Sequence, residues 1–249
     1  MWHNHPDMNP TAPPYPPTLL LTRPAPQSDR FAEAFRDRFG PELPIVVSPL
    51  MQVQDVVPDR PIPQAETLIF SSETAVARAR SLGLPSGLTA WCVGTRTADA
   101  ARRAGFRAVT GPGDGAGLAR AMVAASVAGP CLFLRGEDVA ADLAGSLSSA
   151  GIATVAVIVY RQVPLPLTAT ARNLLDAEGT VLLPLFSPRS ARLAAHGIGA
   201  ARAALRVAAL SPAVASAAAD LPATRLAVAA EPTASAMLDA LATLVADPP

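Results

Sequence analysis

Short apolar runs alternate with alanine-rich stretches from Thr18 onward, and this alternation constrains the fold more than any other feature of the sequence. Runs such as Thr18–Leu21 and Thr67–Phe70 have the length and apolar content of buried strands. The stretches between them, such as Glu73–Leu82, are helix-forming, and several stop at a glycine, as helices often do. Strand–helix alternation is typical of parallel sheets covered by helices. The sequence therefore predicts an α/β architecture.

The alternation also predicts where the individual elements lie. The expected strands are Thr18–Leu21, Thr67–Phe70, Thr89–Val93, Cys131–Leu134, Thr180–Leu185, Leu205–Leu210 and Arg225–Val228. The expected helices are Ser28–Phe39, Glu73–Leu82, Arg96–Ala104, Asp114–Val127, Val139–Ala150, Arg189–Ala195, Pro212–Ala219 and Thr233–Val245.

Motifs in the first part of the chain recur in the same order in the second part. LLLTRP (Leu19–Pro24) is similar to CLFLRG (Cys131–Gly136), and IFSSETAVARA (Ile69–Ala79) is similar to LFSPRSARLAA (Leu185–Ala195). An internal repeat of this kind indicates that one structural unit is present twice. We therefore expect two lobes, each with its own sheet.

Two extended runs, Pro44–Val53 and Ala153–Val163, have no obvious helix attached and stand where one lobe would pass into the other. We expect them to pair with each other. The predicted fold class is then α/β, with two flavodoxin-like parallel-sheet lobes joined by a two-stranded antiparallel β ladder, and ligands favour clefts between such lobes. The expected bounds are a first lobe of residues 18–43 and 164–249, a ladder of residues 44–53 and 153–163, and a second lobe of residues 54–152.

Composition narrows the range of functions. Residues 1–17 hold six prolines without periodicity and are expected to form a disordered leader, with none of the regions of a signal peptide. No apolar run reaches the roughly 18 residues of a membrane span, so a cytoplasmic protein is expected. Twenty basic residues balance twenty acidic residues, which argues against a general nucleic-acid binder. Cys92 and Cys131 stand in apolar runs and are expected to be buried thiols.

Hydroxyl and arginine side chains gather in the turns that follow the predicted strands. Parallel strands present their carboxyl ends, and the amino termini of the following helices, at one edge where anions bind. Serine and threonine at these positions are also the residues that helices prefer as N-caps, and this explanation stays open. Six such turns favour a polyanionic ligand. The candidate binding residues are Thr22, Arg23, Ser71, Ser72, Thr95, Thr97, Arg135, Ser187, Arg189 and Ser211.

Several common active sites find no support in the sequence. The glycine-rich stretch Gly111–Gly117 is interrupted by a proline and lacks the lysine of a phosphate-binding loop. His196 stands at a predicted helix end, and no cysteine or histidine spacing indicates a metal site. Tyr160 ends the run VAVIVY at a predicted crossing between lobes. It is either a strand aromatic with a solvated hydroxyl or a functional group facing the cleft.

An ordered set of segments resembles the uroporphyrinogen-III synthase family over roughly Thr18 to Val245. These segments are LLLTRP, LIFSSETAV, VGTRTADAARRAGF, LFLRGE, AVIVYRQV and FSPRSA. The resemblance implies two α/β lobes and a monomeric enzyme without a cofactor or a metal ion. Its substrate would be hydroxymethylbilane, a linear tetrapyrrole rich in carboxylates. Loss of water would give an azafulvene-like cation that attacks ring D, and a spiro intermediate would reclose with ring D inverted.

The resemblance also assigns roles to residues of this chain. The family's tyrosine, which assists loss of the hydroxyl group, corresponds to Tyr160, and its cleft threonine corresponds to Thr97. The serines of the Phe-Ser-Ser and Phe-Ser-Pro turns correspond to Ser71, Ser72 and Ser187.

One turn departs from the family pattern. Many members carry hydroxyl groups after the strand that corresponds to Arg206–Leu210, whereas this chain has Ser211-Pro212-Ala213-Val214. The departure motivates an alternative, a two-lobed anion-binding or regulatory protein that keeps the fold without activity. A two-lobed solute carrier is a further alternative, which the expected absence of a signal peptide disfavours.

Overall fold

The computed structural model describes residues 16–138 and 142–246, which form eleven strands and nine helices. Residues 1–15 of the predicted leader, and residues 139–141 of the predicted helix Val139–Ala150, lie outside the described residues. The strands are β1 (Thr18–Leu21), β2 (Ile45–Val47), β3 (Met51–Asp55), β4 (Thr67–Phe70), β5 (Thr89–Cys92), β6 (Arg107–Thr110), β7 (Cys131–Gly136), β8 (Thr154–Pro164), β9 (Thr180–Leu185), β10 (Ala204–Ala209) and β11 (Ala223–Val228). The helices are α1 (Ala25–Phe39), α2 (Glu73–Ser81), α3 (Thr95–Arg103), α4 (Gly115–Ala124), α5 (Leu143–Ser149), α6 (Ala169–Asp176), α7 (Pro188–Ile198), α8 (Pro212–Ala217) and α9 (Ala234–Ala246).

The described residues divide into two compact units. The first unit takes in residues 16–52 and 164–246, and the second takes in residues 53–138 and 142–163. The first unit is built on a five-stranded sheet of order β11-β10-β9-β1-β2, in which every pair is parallel. This is the doubly wound order of flavodoxin-like folds.

Both faces of the first sheet are buried. Leu20 lies in an apolar cluster on one face, while Leu19 and Leu21 lie in a cluster on the other face, as the alternation of side chains along a strand requires. The run LLLT therefore reads as continuously apolar because helices cover both faces of the sheet.

The second unit is built on a six-stranded sheet of order β3-β8-β7-β4-β5-β6, parallel from β8 to β6. Leu68 and Phe70 point into one apolar cluster and Ile69 into another, so this sheet also has helices on both faces. The prediction of two parallel-sheet α/β lobes is confirmed. Without β3, the strands of the second sheet have the other common doubly wound order, in which β4 and β7 lie side by side and the later strands on each side follow outwards in chain order.

The first of the two extended runs does not pair along its whole length with the second run, because its two halves belong to different sheets. Ile45–Val47 pairs in parallel with β1, and Met51–Asp55 alone lies beside β8. Ser48 and Pro49 separate the two strands, and proline has no N–H to continue a strand ladder. The first part of β8 pairs in parallel with β7 and is therefore an integral strand of the second sheet.

Two elements were not predicted. β6 is an edge strand whose side chains are mostly exposed, so it has no apolar run that the sequence pattern could reveal. α6 is capped by Thr168 and buries Ala171 and Leu175, one helical turn apart. Within the part of the chain that the structure describes, no helix is long and apolar enough to cross a membrane.

Candidate active site

Each sheet changes its direction of winding at one point, and some of the predicted donor turns lie there, whereas Thr95 and Thr97 follow β5 and Ser211 follows β10. In the first unit this point lies between β1 and β9, whose carboxyl ends lead into Thr22-Arg23 and Phe186-Ser187. In the second unit it lies between β4 and β7, whose carboxyl ends lead into Ser71-Ser72 and Glu137. Doubly wound sheets bind their ligands at this position.

Tyr160 and Ser72 meet in the second unit. Their hydroxyl oxygens lie 3.0 Å apart, and either group can donate the hydrogen bond. Ser72 is also the N-cap of α2, where its Oγ accepts a hydrogen bond from the backbone N–H of Ala75. Both side chains are half-buried, so the phenol stands at the carboxyl edge of the sheet with one face towards the core.

A β-bulge sets the place of Tyr160 on its strand. Arg135 pairs with Ile158, but the next residue of β7, Gly136, pairs with Tyr160, which leaves Val159 as an extra residue. The backbone N–H of Glu137 then donates to the carbonyl oxygen of Tyr160. Bulges frequently redirect side chains beside active sites.

The ring of Tyr160 lies directly against the backbone of Gly136. A Cβ added to Gly136 would lie 2.7 Å from two ring carbons and 2.9 Å from the hydroxyl oxygen. Such distances do not occur between real atoms, so any other residue at position 136 would displace the ring. The phenol occupies this place because its neighbour has no side chain.

Arg78 holds the carbonyl group of the extra residue. Its Nε donates to the carbonyl oxygen of Val159 at 3.2 Å, and the N–H of Val56 donates to the same oxygen at 3.1 Å. The guanidinium also donates to the carboxylate of Asp55 at 2.8 Å, and the Arg78 side chain is only 14% exposed. Helix α2 is therefore bonded to β8 at two places, through Ser72 and through Arg78.

The first unit presents a different arrangement at its winding point. The guanidinium carbon of Arg23 lies 4.0 Å from the centroid of the Phe186 ring. The edge of Phe31 packs against the same ring, with centroids 5.0 Å apart. The hydroxyl of Ser28 donates to the carbonyl oxygen of Arg23 at 2.8 Å, which fixes the backbone of this turn. A cation is thus held at the carboxyl edge beside two helix amino termini.

Serine side chains cap the helices that begin at this edge. Ser187 accepts a hydrogen bond from the N–H of Ser190, whose own hydroxyl lies 3.1 Å from the backbone nitrogen of Ser187 and accepts from it, so that the two form a capping box at α7. Ser211 accepts from the N–H of Val214 at α8. Arg189 lies in the first turn of α7 and is half-buried. The explanation of these serines as caps is therefore confirmed for Ser72, Ser187 and Ser211, and it is compatible with binding because the remaining helix N–H groups still face the edge.

The other predicted binding residues differ in exposure. Ser71 and Thr95 are exposed, whereas Thr22 is 1% exposed and Thr97 is 7% exposed. Arg135 is half-buried, and its guanidinium donates to the carbonyl oxygens of Gly136 and Glu137, both at 2.9 Å. The structure thus brings Ser72 together with Tyr160 and Arg23 together with the turn of Ser187. No contact joins Thr97 or Arg135 to either group among the described hydrogen bonds.

The two cysteines are free thiols in the core. Burial raises the pKa of the Cys92 thiol from 9.0 to about 11, although the nearby Arg102 lowers it in part. Burial also raises the pKa of Cys131. Neither thiol is therefore a ready nucleophile. Across residues 16–138 and 142–246, no three His, Cys, Asp or Glu side chains form a group that could hold a metal ion.

Three residues of these sites were not singled out from the sequence. Gly136 follows Arg135 and Phe186 precedes Ser187, but nothing in their sequence neighbourhood indicated that the Tyr160 ring would lie on Gly136 or the Arg23 guanidinium on Phe186. Arg78 lies in the predicted helix Glu73–Leu82 and was not singled out. Its contact with the bulge depends on the packing of α2 against β8, which no local pattern encodes.

Comparisons with known proteins agree on one family. A family model described as uroporphyrinogen-III synthase HemD matches residues 29–239. The crystal structure of a uroporphyrinogen-III synthetase from Helicobacter pylori is similar, with 15% identity, 92% of this chain and 99% of that chain covered, and a TM-score of 0.65. A mutant uroporphyrinogen III synthase from Thermus thermophilus matches with 14% identity, covers 91% and 98% of the two chains, and has a TM-score of 0.49. Comparison with curated protein sequences gave no match. At this identity the first of the two structures establishes the likeness of the fold.

Proposed function

Because the chain belongs to the uroporphyrinogen-III synthase family, we propose that it cyclises hydroxymethylbilane to uroporphyrinogen III, with inversion of ring D and loss of water. The match of the family model over residues 29–239 is the observation that carries this function. The product would enter the synthesis of heme and related tetrapyrroles. The alternative without activity has no observation in its favour, and the hydroxyl of Ser211 is retained as a helix cap.

Tyr160 is the catalytic residue in this proposal. Its phenol donates a proton to the hydroxymethyl oxygen as the carbon–oxygen bond breaks, so that the oxygen leaves as water. The resulting azafulvene-like cation is attacked by the substituted carbon of ring D, and the spiro intermediate fragments and recloses with ring D inverted. The last closure releases a proton from ring D, which restores the phenol. The overall change is the loss of one water molecule.

The donor turns bind the substrate carboxylates. Helix amino termini and hydroxyl groups donate hydrogen bonds to a carboxylate without carrying a full positive charge. Arginine adds a full charge and two donors that lie in one plane. Holding the substrate is essential because closure without assistance gives the type I isomer, so the enzyme must impose geometry as well as remove water. The residues proposed for binding are Thr22, Arg23, Ser187, Arg189 and Ser211 in the first unit, and Ser71, Ser72, Thr95, Thr97 and Arg135 in the second.

The enzyme is further proposed to act as a cytoplasmic monomer without a cofactor, a nucleic acid or a membrane as partner. Both groups of donors come from the same chain, and its twenty basic and twenty acidic residues cancel, so a polyanion such as nucleic acid meets no overall attraction. Light scattering of the purified protein tests the oligomeric state.

Separation of the product isomers tests the function directly. Purified enzyme is mixed with fresh hydroxymethylbilane, the products are oxidised, and the type I and type III isomers are separated by chromatography. We expect the type III isomer in excess, at a rate above that of spontaneous closure. Formation of the type I isomer alone would overturn the proposal.

A further inference from the structure

The phenol of Tyr160 has more contacts than an exposed strand aromatic requires. The ring lies on the backbone of Gly136, and the hydroxyl group is in hydrogen-bond distance of Ser72. The backbone carbonyl oxygen of Tyr160 accepts a hydrogen bond from the N–H of Glu137. The residue before it is the extra residue of a bulge, whose carbonyl group is held by Arg78. Each of these contacts fixes a different degree of freedom of one side chain.

We infer that Gly136 and Ser72 are positioning residues for Tyr160, so that the β-bulge of β8 and the N-cap of α2 together aim the phenolic proton at the leaving hydroxyl group. This inference rests on the proposed function, since it concerns the same tyrosine. Neither residue acts on the substrate in this role, and both act through the phenol.

The hydrogen-bond inventory of Ser72 permits the proton direction that this inference requires. A serine hydroxyl has one proton and two lone pairs. One lone pair of Ser72 accepts from the N–H of Ala75. The hydroxyl oxygens of Ser72 and Tyr160 lie 3.0 Å apart and either group can donate; in the inferred arrangement Ser72 donates its proton to Tyr160 Oη. The phenol then keeps its own proton for the substrate oxygen. As that proton leaves, the hydroxyl of Ser72 and the amino terminus of α2 stabilise the negative charge that develops on Tyr160.

Gly136 controls the position of the ring. Its φ angle is not in the left-handed region, so alanine meets no left-handed backbone strain at this site, and the three atoms nearest to an added Cβ all belong to Tyr160. The ring can move, because it is the end of a side chain. The expected consequence of Gly136→Ala is a folded protein with a displaced phenol.

A double-mutant cycle separates positioning from a structural role. Rates of type III formation are measured for Ser72→Ala, Ser72→Thr, Gly136→Ala and Tyr160→Phe, and for Ser72→Ala and Gly136→Ala each combined with Tyr160→Phe. We expect kcat to fall about tenfold in Ser72→Ala and roughly a hundredfold in Gly136→Ala. KM is unchanged in Gly136→Ala, and any rise of KM in Ser72→Ala measures the separate carboxylate contact proposed for Ser72. Ser72→Thr, which keeps the hydroxyl group, restores most of kcat. In the Tyr160→Phe background, both substitutions change kcat by less than about twofold.

Two further variants are matched controls. Thr168→Ala removes an N-cap of the same kind from α6, where the hydroxyl accepts from Ala171 at 3.3 Å. Gly197→Ala adds a Cβ that meets only Leu50, at 3.6 Å. Both are expected to keep the wild-type kcat.

The outcomes distinguish this inference from the function on which it rests. If the single and double effects multiply, or if Thr168→Ala loses as much kcat as Ser72→Ala, the positioning role is wrong while the function stands. If wild-type enzyme forms only the type I isomer, the function itself is wrong. Should Gly136→Ala fail to fold, the Ser72 arm of the cycle decides alone.

Discussion

The guanidinium of Arg23 stacks on the ring of Phe186, with 4.0 Å between the guanidinium carbon and the ring centroid. The two residues follow β1 and β9, the neighbouring strands between which the winding of the first sheet reverses. Stacking limits the rotamers of the arginine. A planar cation fixed in this way is suited to a carboxylate, which it can bind through two parallel hydrogen bonds.

Arg23→Ala is expected to raise KM for hydroxymethylbilane about tenfold, because a charged hydrogen bond to a substrate carboxylate is lost. Phe186→Leu keeps the charge but removes the stacking face, so a smaller rise of roughly two- to fivefold is expected. Steady-state rates at several substrate concentrations measure both. Arg38→Ala, which removes an exposed arginine paired with Asp239, is the matched control for loss of one charge from the same unit. An equal rise of KM in Arg38→Ala would contradict binding by Arg23.

Tyr160→Phe is expected to lower kcat by roughly ten- to a thousandfold, because the phenolic proton is lost while the ring remains on Gly136. The measurement is the rate of type III formation under saturating substrate. KM should change little, since the residue acts on the leaving group rather than on the carboxylates. Thermal unfolding of the same variant gives the control, because a shift of several degrees would point to misfolding. Full turnover by Tyr160→Phe would return the tyrosine to a packing role.

Much of the fold follows from local pattern, because each buried strand is a continuous apolar run. The strands Thr18–Leu21, Thr67–Phe70 and Thr180–Leu185 have the bounds that the apolar runs predict. Their sheets are covered on both faces, so their side chains are apolar on both sides. β6 has no such signal because it is an exposed edge strand. The strand pairing of Ile45–Val47 was missed for another reason, since one extended run in the sequence serves two sheets.

The sequence singled out several of the candidate site residues, because residue type and the ends of strands are visible in it. It did not predict which of these residues contact each other. Tyr160 and Ser72 were both singled out, but their contact joins residues 88 positions apart and depends on how β8 pairs. The bulge at Val159 shifts that pairing by one residue, and no sequence pattern fixes the register of a bulge. Gly136 appears in the sequence as a turn residue, whereas its actual role is to leave room for a ring.

Phe35→Ala is expected to lower the free energy of unfolding by about 3–5 kcal/mol, the usual cost of emptying a buried aromatic site. Phe35 is fully buried in the first unit and packs against Phe39, with ring centroids 4.6 Å apart. Denaturation by urea, followed by circular dichroism, gives the change. Val228→Ala in the same unit is the control, because Val228 is 41% exposed and its truncation should cost less than about 0.5 kcal/mol. Equal costs in the two variants would show that α1 is not packed on the sheet as described.

Because the thiol of Cys92 is buried, we expect the stability of the folded protein to decrease at alkaline pH. The pKa of Cys92 rises from 9.0 to about 11 in the folded protein, so folding favours the neutral thiol. Its contribution to stability is therefore complete below pH 9 and is lost as the pH rises towards 11.

At pH 8 the fraction of Cys92 present as thiolate is about a hundredfold smaller than for an unperturbed cysteine, and burial adds a barrier to reagents. We expect negligible reaction of both thiols with a disulfide reagent in the native protein at pH 8, and rapid reaction of both in guanidinium chloride. The single variants Cys92→Ala and Cys131→Ala assign any residual reaction to one site. Fast labelling of native protein at pH 8 would mean that the apolar clusters around Cys92 and Cys131 open on the timescale of the assay.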